Sequence, residues 1–254
     1  ERLPEERRFY AYLFSSLGDA LAVGREIMLL RLNPSVMRLY DRAETRKQVK
    51  KILGLDLDDR NYFVIGLEGL GEDVAWKEKR VKNLCAEFGG EELKNQKAWE
   101  WWNHRYNFYF PPHLPDIPKM FGTMDTLCTF DKIEHLYVTK KRVLEETYRD
   151  RELEYIAHFS HWFPWGVMVY DRFIIERPPS DPEESLLLHN EIWNLAVRTS
   201  IRCGGVLNEH HGVGPKLARL VREQYGAAFQ VLAGLKETVD PRHILNPGKM
   251  GFGP

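Results

Sequence analysis

The segment 208–214, with the sequence NEHHGVG, holds the residues of this chain best suited to acid–base chemistry. It places the carboxylate of Glu209 beside the imidazoles of His210 and His211. Imidazoles exchange protons near neutral pH, and Gly212 allows a positive φ and a close approach of the backbone to a ligand. Two interpretations stay open: imidazoles that act on a bound electron-rich ligand, or a capped turn with solvent-exposed histidines.

A second pair of histidines, His158 and His161, lies in a segment that the pattern predicts to be a strand. Alternation of side chains places the two imidazoles on opposite faces unless a bulge intervenes. A zinc site would need one of them to meet segment 208–214 in space, and a local metal-binding spacing such as HxxxH on a helix is absent. The sequence therefore predicts hydrogen-bonded histidines and no metal site.

Two further side chains could take part in chemistry. Tyr170 lies in the middle of a predicted strand, and its phenol could accept or relay a proton; the alternative is a core tyrosine with a satisfied hydroxyl. Arg38 interrupts the apolar strand 36–39 and needs an anion. That anion is either a structural partner, Asp41 or Asp171, or the carboxylate or phosphate of a substrate.

The composition is that of a globular protein without a strong charge bias. The chain has 254 residues, a formal net charge of −1 and 43% hydrophobic residues. The near-neutral charge gives no electrostatic reason to expect nucleic acid as a partner, and the sequence lacks the apolar run of about 18 residues that a membrane span needs.

The widely spaced Cys85, Cys128 and Cys203 suit reduced thiols, so we expect a cytoplasmic location. A glycine-rich phosphate loop is also missing, so the sequence contains no recognisable nucleotide site of its own.

The order of predicted elements indicates an α+β fold. Residues 1–110 and 120–210 each read as a split βαβ unit of the ferredoxin-like type, and each ends a helix at a Gly-Gly pair. A short strand at 206–207 closes the second unit, and 211–254 form C-terminal helices and a tail. We expect one wide, mainly antiparallel sheet with helices on one face, which leaves the other face for function or a partner. The proline-rich stretch 113–118 is expected to be irregular.

Four segments in register carry a family resemblance. The tail 235–249, LKETVDPRHILNPGK, resembles the end of FAD-linked oxidases of the vanillyl-alcohol-oxidase superfamily. The other three resemble motifs of its alkyldihydroxyacetone-phosphate synthase branch. Segment 209–214 resembles the histidine loop, 160–170 the strand pair that ends in the active-site tyrosine, and 34–41 the Pro-x-x-x-Arg-Leu-x-Asp strand.

The resemblance implies a domain that works with a flavin. Such enzymes join an N-terminal FAD-binding domain to a C-terminal cap, and residues 1–254 resemble the cap, so FAD would be held mainly by a domain or subunit missing from this chain. The roles implied are catalytic for Tyr170, His210 and His211, substrate-binding for Arg38 and His161, and cofactor-binding for Asn246, Glu209 and Gly212.

The chain also departs from the family patterns. The metal-dependent 2-hydroxy-acid branch has Glu immediately before its His-Gly, whereas here His210 occupies that place and Glu209 is displaced by one. That branch's His-x-Gly-Asp-Gly-Asn-x-His segment is missing as well, and both departures argue against a metal. The synthase branch often has three consecutive histidines, of which Glu209 replaces the first, and it has Glu-Thr-Ser where this chain has 125–127, DTL.

We therefore expect the cap of an FAD-dependent oxidoreductase that acts on a hydroxyl-bearing small molecule, a 2-hydroxy acid or a related alcohol. Tyr170 or a histidine would take the hydroxyl proton. The alternatives are an alkylglycerone-phosphate synthase-like transferase and a non-catalytic interaction module whose open sheet face binds a protein. The expected partners are the FAD-binding domain or subunit, the small-molecule substrate and possibly a second copy in a homodimer.

Overall fold

The computed structural model describes residues 3–108 and 120–252, so the predicted irregular stretch 113–118 lies outside the described residues. The described strands are β1 (Glu6–Phe14), β2 (Val36–Tyr40), β3 (Asn61–Gly69), β4 (Glu91–Glu92), β5 (Met120–Thr129), β6 (Glu154–Phe163) and β7 (Gly166–Ile175). The helices are α1 (Leu17–Leu29), α2 (Arg42–Glu44), a π-helix (Thr45–Val49), α3 (Lys50–Leu53), α4 (Gly71–Glu87), α5 (Asn95–His104), α6 (Ile133–Thr147), α7 (Pro182–Arg202), α8 (Gly214–Ala218), α9 (Val221–Tyr225) and α10 (Ala228–Val239). None of the helices in these two ranges has the length and apolarity needed to cross a membrane.

The strands form one sheet in the order β4-β1-β3-β2-β6-β7-β5, and every pair is antiparallel. The first four strands have the order of a ferredoxin-like unit, and β6-β7-β5 repeats that order without a fourth strand. The two units meet where β2 pairs with β6, at Leu39 with Phe159 and Tyr40 with His158. The predicted α+β class and the wide antiparallel sheet are confirmed.

The predicted strand at 206–207 is wrong. After α7 the Val206 N–H donates one hydrogen bond to the Leu127 carbonyl of β5, at 2.9 Å, and the chain then leaves the sheet. The residues that follow hydrogen-bond to a side chain of β5 instead of its backbone, as the site below shows. The second unit therefore ends in a loop where the first unit ends in β4.

The main core lies between one face of the sheet and helices α1, α4, α6 and α7. It contains alternate side chains of the strands, such as Tyr12, Phe63 and Phe159, packed against Ile27 and Leu136 from the helices. Two of these helices begin at a side chain that caps them. Ser16 caps α1 through its hydroxyl, and Asp181 caps α7 ahead of Pro182.

The second face carries a smaller core over β1, β3 and part of β2. There Phe9, Ala11 and Val64 pack against Val49 of the π-helix and Trp101 of α5. The α5 helix contacts β1 and α3, so it stays on the first unit. The second face is thus covered at one side and leaves a cavity over β2, β6, β7 and β5.

A buried ion pair fixes β7 to α6 beneath that cavity. Lys140 Nζ lies 2.7 Å from Asp171 Oδ2, and both side chains are fully buried. Burial raises the pKa of Asp171, and the adjacent ammonium opposes the shift. Because Asp171 stands between Tyr170 and Arg172, which point to the opposite face, the pair holds the strand that presents them.

We expect Lys140→Met to lower the free energy of unfolding by about 3–5 kcal/mol, because it leaves the Asp171 carboxylate buried without its cation. Urea denaturation at pH 7 measures the effect. The double variant Lys140→Met with Asp171→Leu is the matched control, and it should recover most of the loss because it removes both charges. A loss below about 1 kcal/mol in the single variant would mean that the pair does not hold β7.

Candidate active site

A cavity of about 670 Å³ opens on the second face, over the junction of the two units. Five of the eight side chains that the sequence assigns to the site line it: Arg38, His161, Tyr170, His210 and His211. Further lining residues from the same face are Tyr40, Glu44, Trp101, Phe108, His158 and Arg172. The cavity therefore brings together most of the residues to which the resemblance assigns a role, and those roles stay predictions.

The inner end of the cavity, here called the guanidinium pole, consists of Arg38, Arg172, His158 and Glu44. Arg38 Nη2 lies 2.5 Å from His158 Nε2, and His158 Nδ1 lies 3.1 Å from Glu44 Oε2. Arg172 donates to the other Glu44 oxygen and, at 3.1 Å, to Gln48 Oε1. A guanidinium can only donate, so His158 accepts at Nε2 and donates from Nδ1 to the carboxylate.

The predicted structural partners of Arg38 are engaged elsewhere. Asp41 caps α2 by accepting from the Glu44 N–H at 2.7 Å, and Asp171 pairs with Lys140. The cap explains the position of Glu44, since it turns the chain after β2 back under β6. Of the two alternatives that the sequence leaves open, the printed contacts of Asp41 and Asp171 are therefore with other groups, and a substrate anion for Arg38 stays a prediction.

Electrostatics leave the guanidinium pole positive. Burial lowers the pKa of His158 to about 4, and the charge of Arg38 reinforces the shift. Burial alone would raise the pKa of Glu44, but Arg172, His158 and Arg38 outweigh it and lower the pKa to about 2. At neutral pH the pole thus contains two guanidinium charges, one carboxylate and a neutral imidazole. These four described residues sum to a charge of +1, and their guanidinium groups can donate to an anion.

The outer end of the cavity is formed by segment 208–214, here called the His loop, which folds around the carboxylate of Asp125 on β5. Asp125 Oδ2 accepts the backbone N–H groups of Glu209 at 2.6 Å and His210 at 2.9 Å. Asp125 Oδ1 accepts Asn208 Nδ2 at 2.8 Å and lies 2.5 Å from His211 Nδ1. A single buried side chain therefore determines the conformation of the loop.

A bulge in β6 brings His161 to the same side. The pairing of β6 with β7 shifts register between Phe159 and Trp162, so simple alternation fails there and both His158 and His161 line the cavity. Glu209 Oε2 then lies 2.9 Å from His161 Nδ1 and 2.8 Å from His210 Nδ1. The opposite-face placement that the sequence predicts in the absence of a bulge does not hold.

Tyr170 lies between the two ends of the cavity. Its ring stacks on His158 with centroids 5.0 Å apart and an interplanar angle of 12°. On the other side it meets His211 edge-on at 5.6 Å and His210 at 6.1 Å. A small molecule held at the guanidinium pole would therefore extend past the phenol toward the imidazoles.

The three residues with a predicted cofactor-binding role do not line the cavity. Glu209 supports His161 and His210 and does not line the cavity. Gly212 has a φ of +79° and donates its N–H to Asn208 Oδ1 at 2.7 Å, and a side chain added there would meet nothing within 4 Å. Asn246, with a φ of +50°, lies in the exposed tail and is not among the described residues that line the cavity. A cofactor-binding role stays a prediction for all three.

Sequence reasoning missed three residues of this site. Arg172 stands two positions after Tyr170 on one strand, so alternation could have placed it on the same face. Asp125 was noted only as a departure from a family motif. Glu44 lies in a short helical segment without any motif, and no signal in a single sequence could have found it.

The arrangement is compatible with a flavin held by another domain. The side chains of His161 and His211 are 45% and 46% exposed, whereas that of Glu44 at the guanidinium pole is 1% exposed. The imidazole edge of the cavity thus faces outward, where a flat ring could cover it.

Within residues 3–108 and 120–252, two groups of side chains could hold a metal ion by distance. They are Asp125 with His210 and His211, and His161 with Glu209 and His210; within each group the donor atoms lie within 4.8 Å of one another. The oxygens of Asp125 already accept hydrogen bonds from Asn208 and from the loop backbone, which a cation would have to displace. The absence of a metal therefore stays a prediction.

Comparison with known proteins identifies the family. Residues 3–250 match the family model of FAD linked oxidases, C-terminal domain. The chain belongs to this family. Its cofactor is accordingly FAD, as the resemblance implied, and its class is that of the flavoprotein oxidoreductases.

Several relatives align along nearly the whole chain. The alkyldihydroxyacetonephosphate synthase of Dictyostelium discoideum is 24% identical over 276 residues, covering 98% of this chain and 44% of the relative. The uncharacterized FAD-linked oxidoreductase YgcU of Escherichia coli (strain K12) is 25% identical over 256 residues, covering 96% and 52%. A probable mitochondrial D-lactate dehydrogenase of Danio rerio is 36% identical over 78 residues, which is 30% of this chain. The chain thus spans about half the length of the two relatives that it matches throughout.

Solved structures share the fold. An alkyldihydroxyacetonephosphate synthase superposes with a TM-score of 0.72 at 20% identity, covering 98% of this chain and 46% of the other. A p-cresol methylhydroxylase with substrate bound gives 0.71 at 16% identity, covering 98% and 53%. At this level of identity the likeness supports the fold alone.

The lowered pKa of His158 predicts a pH-dependent stability. The unfolded chain binds a proton near pH 6.5 and the folded chain only near pH 4, so the free energy of unfolding should fall as pH is lowered through this window, by up to about 3 kcal/mol. Urea denaturation between pH 7 and 4 should show a shallower fall for His158→Gln. The exposed His135→Gln is the control and should follow the unsubstituted protein. Equal pH dependence in all three would contradict the burial of a neutral His158.

We also expect the site to bind no stoichiometric zinc or manganese. Metal analysis after dialysis against each ion should find less than one equivalent, and His210→Gln, which belongs to both candidate groups, should not change the value. One equivalent that disappears in His210→Gln would establish a metal site and contradict the prediction.

Proposed function

We propose that this chain is the substrate-binding cap of an FAD-dependent oxidoreductase that oxidises a small hydroxyl compound with an anionic end, a 2-hydroxy acid or a related alcohol. The observation that carries the proposal is the two-ended cavity. A buried cationic end and an imidazole-rich, outward-facing end lie on opposite sides of Tyr170.

The guanidinium pole binds the anionic end of the substrate, with Arg38 as the principal donor. Arg172 pairs with Glu44, and Arg38 donates to the neutral ring of His158, so both guanidinium groups lie where they can donate to an anion. The carboxylate of a 2-hydroxy acid would accept these hydrogen bonds.

The outer end of the cavity binds the hydroxyl group of the substrate and accepts its proton. With the carboxylate held inside, the hydroxyl of a 2-hydroxy acid reaches the region between Tyr170 and the His loop, where a phenol and imidazoles can take its proton. FAD, when bound, supplies the oxidising chemistry. The residues of this chain bind the substrate, orient it and accept the proton.

The partner is an FAD-binding domain or subunit that covers the outward-facing edge of the cavity. The family to which the chain belongs and the half of its relatives that it does not span support this arrangement. Once covered, His161 and His211 would be shielded from water, which strengthens the electrostatic effect of the guanidinium pole.

A second candidate is an alkylglycerone-phosphate synthase-like transfer. The alignment along 98% of the chain with the synthase of Dictyostelium discoideum favours it. The two proposals differ in their chemistry, because a transferase exchanges groups without net oxidation of its substrate. Flavin reduction by a single substrate under anaerobic conditions separates them.

We expect a 2-hydroxy acid to bleach the flavin of the protein assembled with its FAD-binding domain, as measured by anaerobic stopped-flow absorbance. Tyr170→Phe should slow the reduction about 100-fold, because the variant loses a proton-exchanging group beside the hydroxyl. Arg38→Met should raise KM about 10- to 100-fold, the effect of losing one charged hydrogen bond of about 1.5–3 kcal/mol. Arg142→Met, an exposed arginine of α6, is the control and should change neither value.

Three outcomes would contradict the proposal. If neutral alcohols reduce the flavin as fast as 2-hydroxy acids, the substrate does not need an anionic end. Exchange of acyl for alkyl groups on a glycerone phosphate, without net reduction, would establish the transferase. An assembled protein that binds FAD and performs neither reaction would favour a non-catalytic interaction module.

A further inference from the structure

We infer that His211 is the residue that takes the hydroxyl proton, and that Asp125 is the positioning residue that prepares it. Asp125 holds the His211 imidazole with its proton on Nδ1, so the lone pair of Nε2 is the basic site available to the cavity. The inference rests on the proposed function and assigns a step that the sequence leaves open among Tyr170 and the histidines.

The hydrogen bonds around Asp125 fix the position of the proton. The N–H groups of Glu209, His210 and the Asn208 amide can only donate, so the carboxylate that receives them acts as an acceptor throughout. The 2.5 Å contact between Asp125 Oδ1 and His211 Nδ1 must therefore carry its hydrogen on the imidazole. In the neutral ring, Nε2 is then unprotonated.

The other two imidazoles are less well supported as bases. His161 and His210 share one oxygen of Glu209, at 2.9 and 2.8 Å, and His210 Nδ1 lies at a longer distance, 3.4 Å, from Asp125 Oδ2. The Glu209 side chain is 15% exposed, whereas that of Asp125 is 1% exposed. A buried carboxylate in direct contact with His211 Nδ1 stabilises an imidazolium more strongly than a partly hydrated one shared between two rings.

Among the described residues on the inner side, His158 is the ring against which Tyr170 stacks, but Arg38 occupies Nε2 of that ring and Glu44 accepts from Nδ1. His158 therefore has no lone pair left to take the phenolic proton. The Tyr170 hydroxyl can donate a hydrogen bond to the substrate oxygen while His211 removes the proton.

The proton and the electrons are accounted for separately. The substrate O–H bond breaks and its proton goes to His211 Nε2, which gives an imidazolium whose Nδ1–H remains on Asp125. FAD, when bound, would supply the oxidant that takes the hydride of the carbinol C–H bond, so that the alcohol carbon would become a carbonyl.

The tautomer can be measured by NMR on the 254-residue chain labelled with 15N-histidine, in the presence of a chelator. Long-range 1H–15N spectra report which nitrogen is protonated, and the signals of His211 are those lost in His211→Gln. We expect Nδ1 protonated and Nε2 unprotonated. Finding the proton on Nε2 in the unsubstituted chain would overturn the inference without any variant.

Asp125→Asn provides the matched test. Its amide oxygen can still accept the loop N–H groups, but its NH₂ group then faces His211 Nδ1 and should move the ring proton to Nε2. Flavin reduction in the assembled protein should fall at least about 100-fold with KM within a few-fold. Circular dichroism and the melting temperature verify that the variant folds.

Glu209→Gln is the control, since it changes the partner of His161 and His210 and leaves Asp125 in place. We expect it to slow reduction less than tenfold. A larger effect of Glu209→Gln than of Asp125→Asn would make His210 or His161 the proton acceptor and overturn the assignment. If no 2-hydroxy acid reduces the flavin, the proposed function is wrong, while the tautomer measurement still decides whether Asp125 positions His211.

Discussion

The antiparallel pairing of β2 with β6 is the constraint on which the site depends. It joins the two ferredoxin-like units through Leu39 with Phe159 and Tyr40 with His158, so it brings Arg38 of the first unit beside His158 of the second. Because side chains alternate, a slip of one residue would turn Arg38 into the main core and empty the guanidinium pole. The register of this one strand pair thus determines whether the cavity carries a charge.

The buried charges of the guanidinium pole depend on one another for their stability. A lone arginine or glutamate at this depth would face a large desolvation penalty, whereas here Glu44 accepts from Arg172 and His158, and His158 accepts from Arg38. The four side chains sum to one net positive charge. The network that stabilises these buried groups therefore also presents guanidinium donors to the cavity, where the proposed substrate carboxylate would accept from them.

The sequence predicts more of the elements than of their connections. The order of predicted elements anticipates the antiparallel sheet, and residue types together with the family resemblance single out Arg38, Tyr170 and His211, which line the cavity. What they cannot predict is set by tertiary contacts. The β6 bulge that turns His161 depends on strand pairing, and the burial of Glu44 depends on where α2 packs, which no local pattern encodes.

The missing strand of the second unit gives the His loop its place. In the first unit β4 ends the sheet by pairing with β1, but the equivalent segment here makes one bond to β5, from Val206 to Leu127, and then turns away. The N–H groups of Glu209 and His210, which a strand would have paired with backbone carbonyls, are accepted by the side chain of Asp125. Replacing ladder hydrogen bonds by one carboxylate satisfies the loop backbone and also places an acceptor beside His211. The fold thus uses the loss of an edge strand to build the reacting end of the cavity.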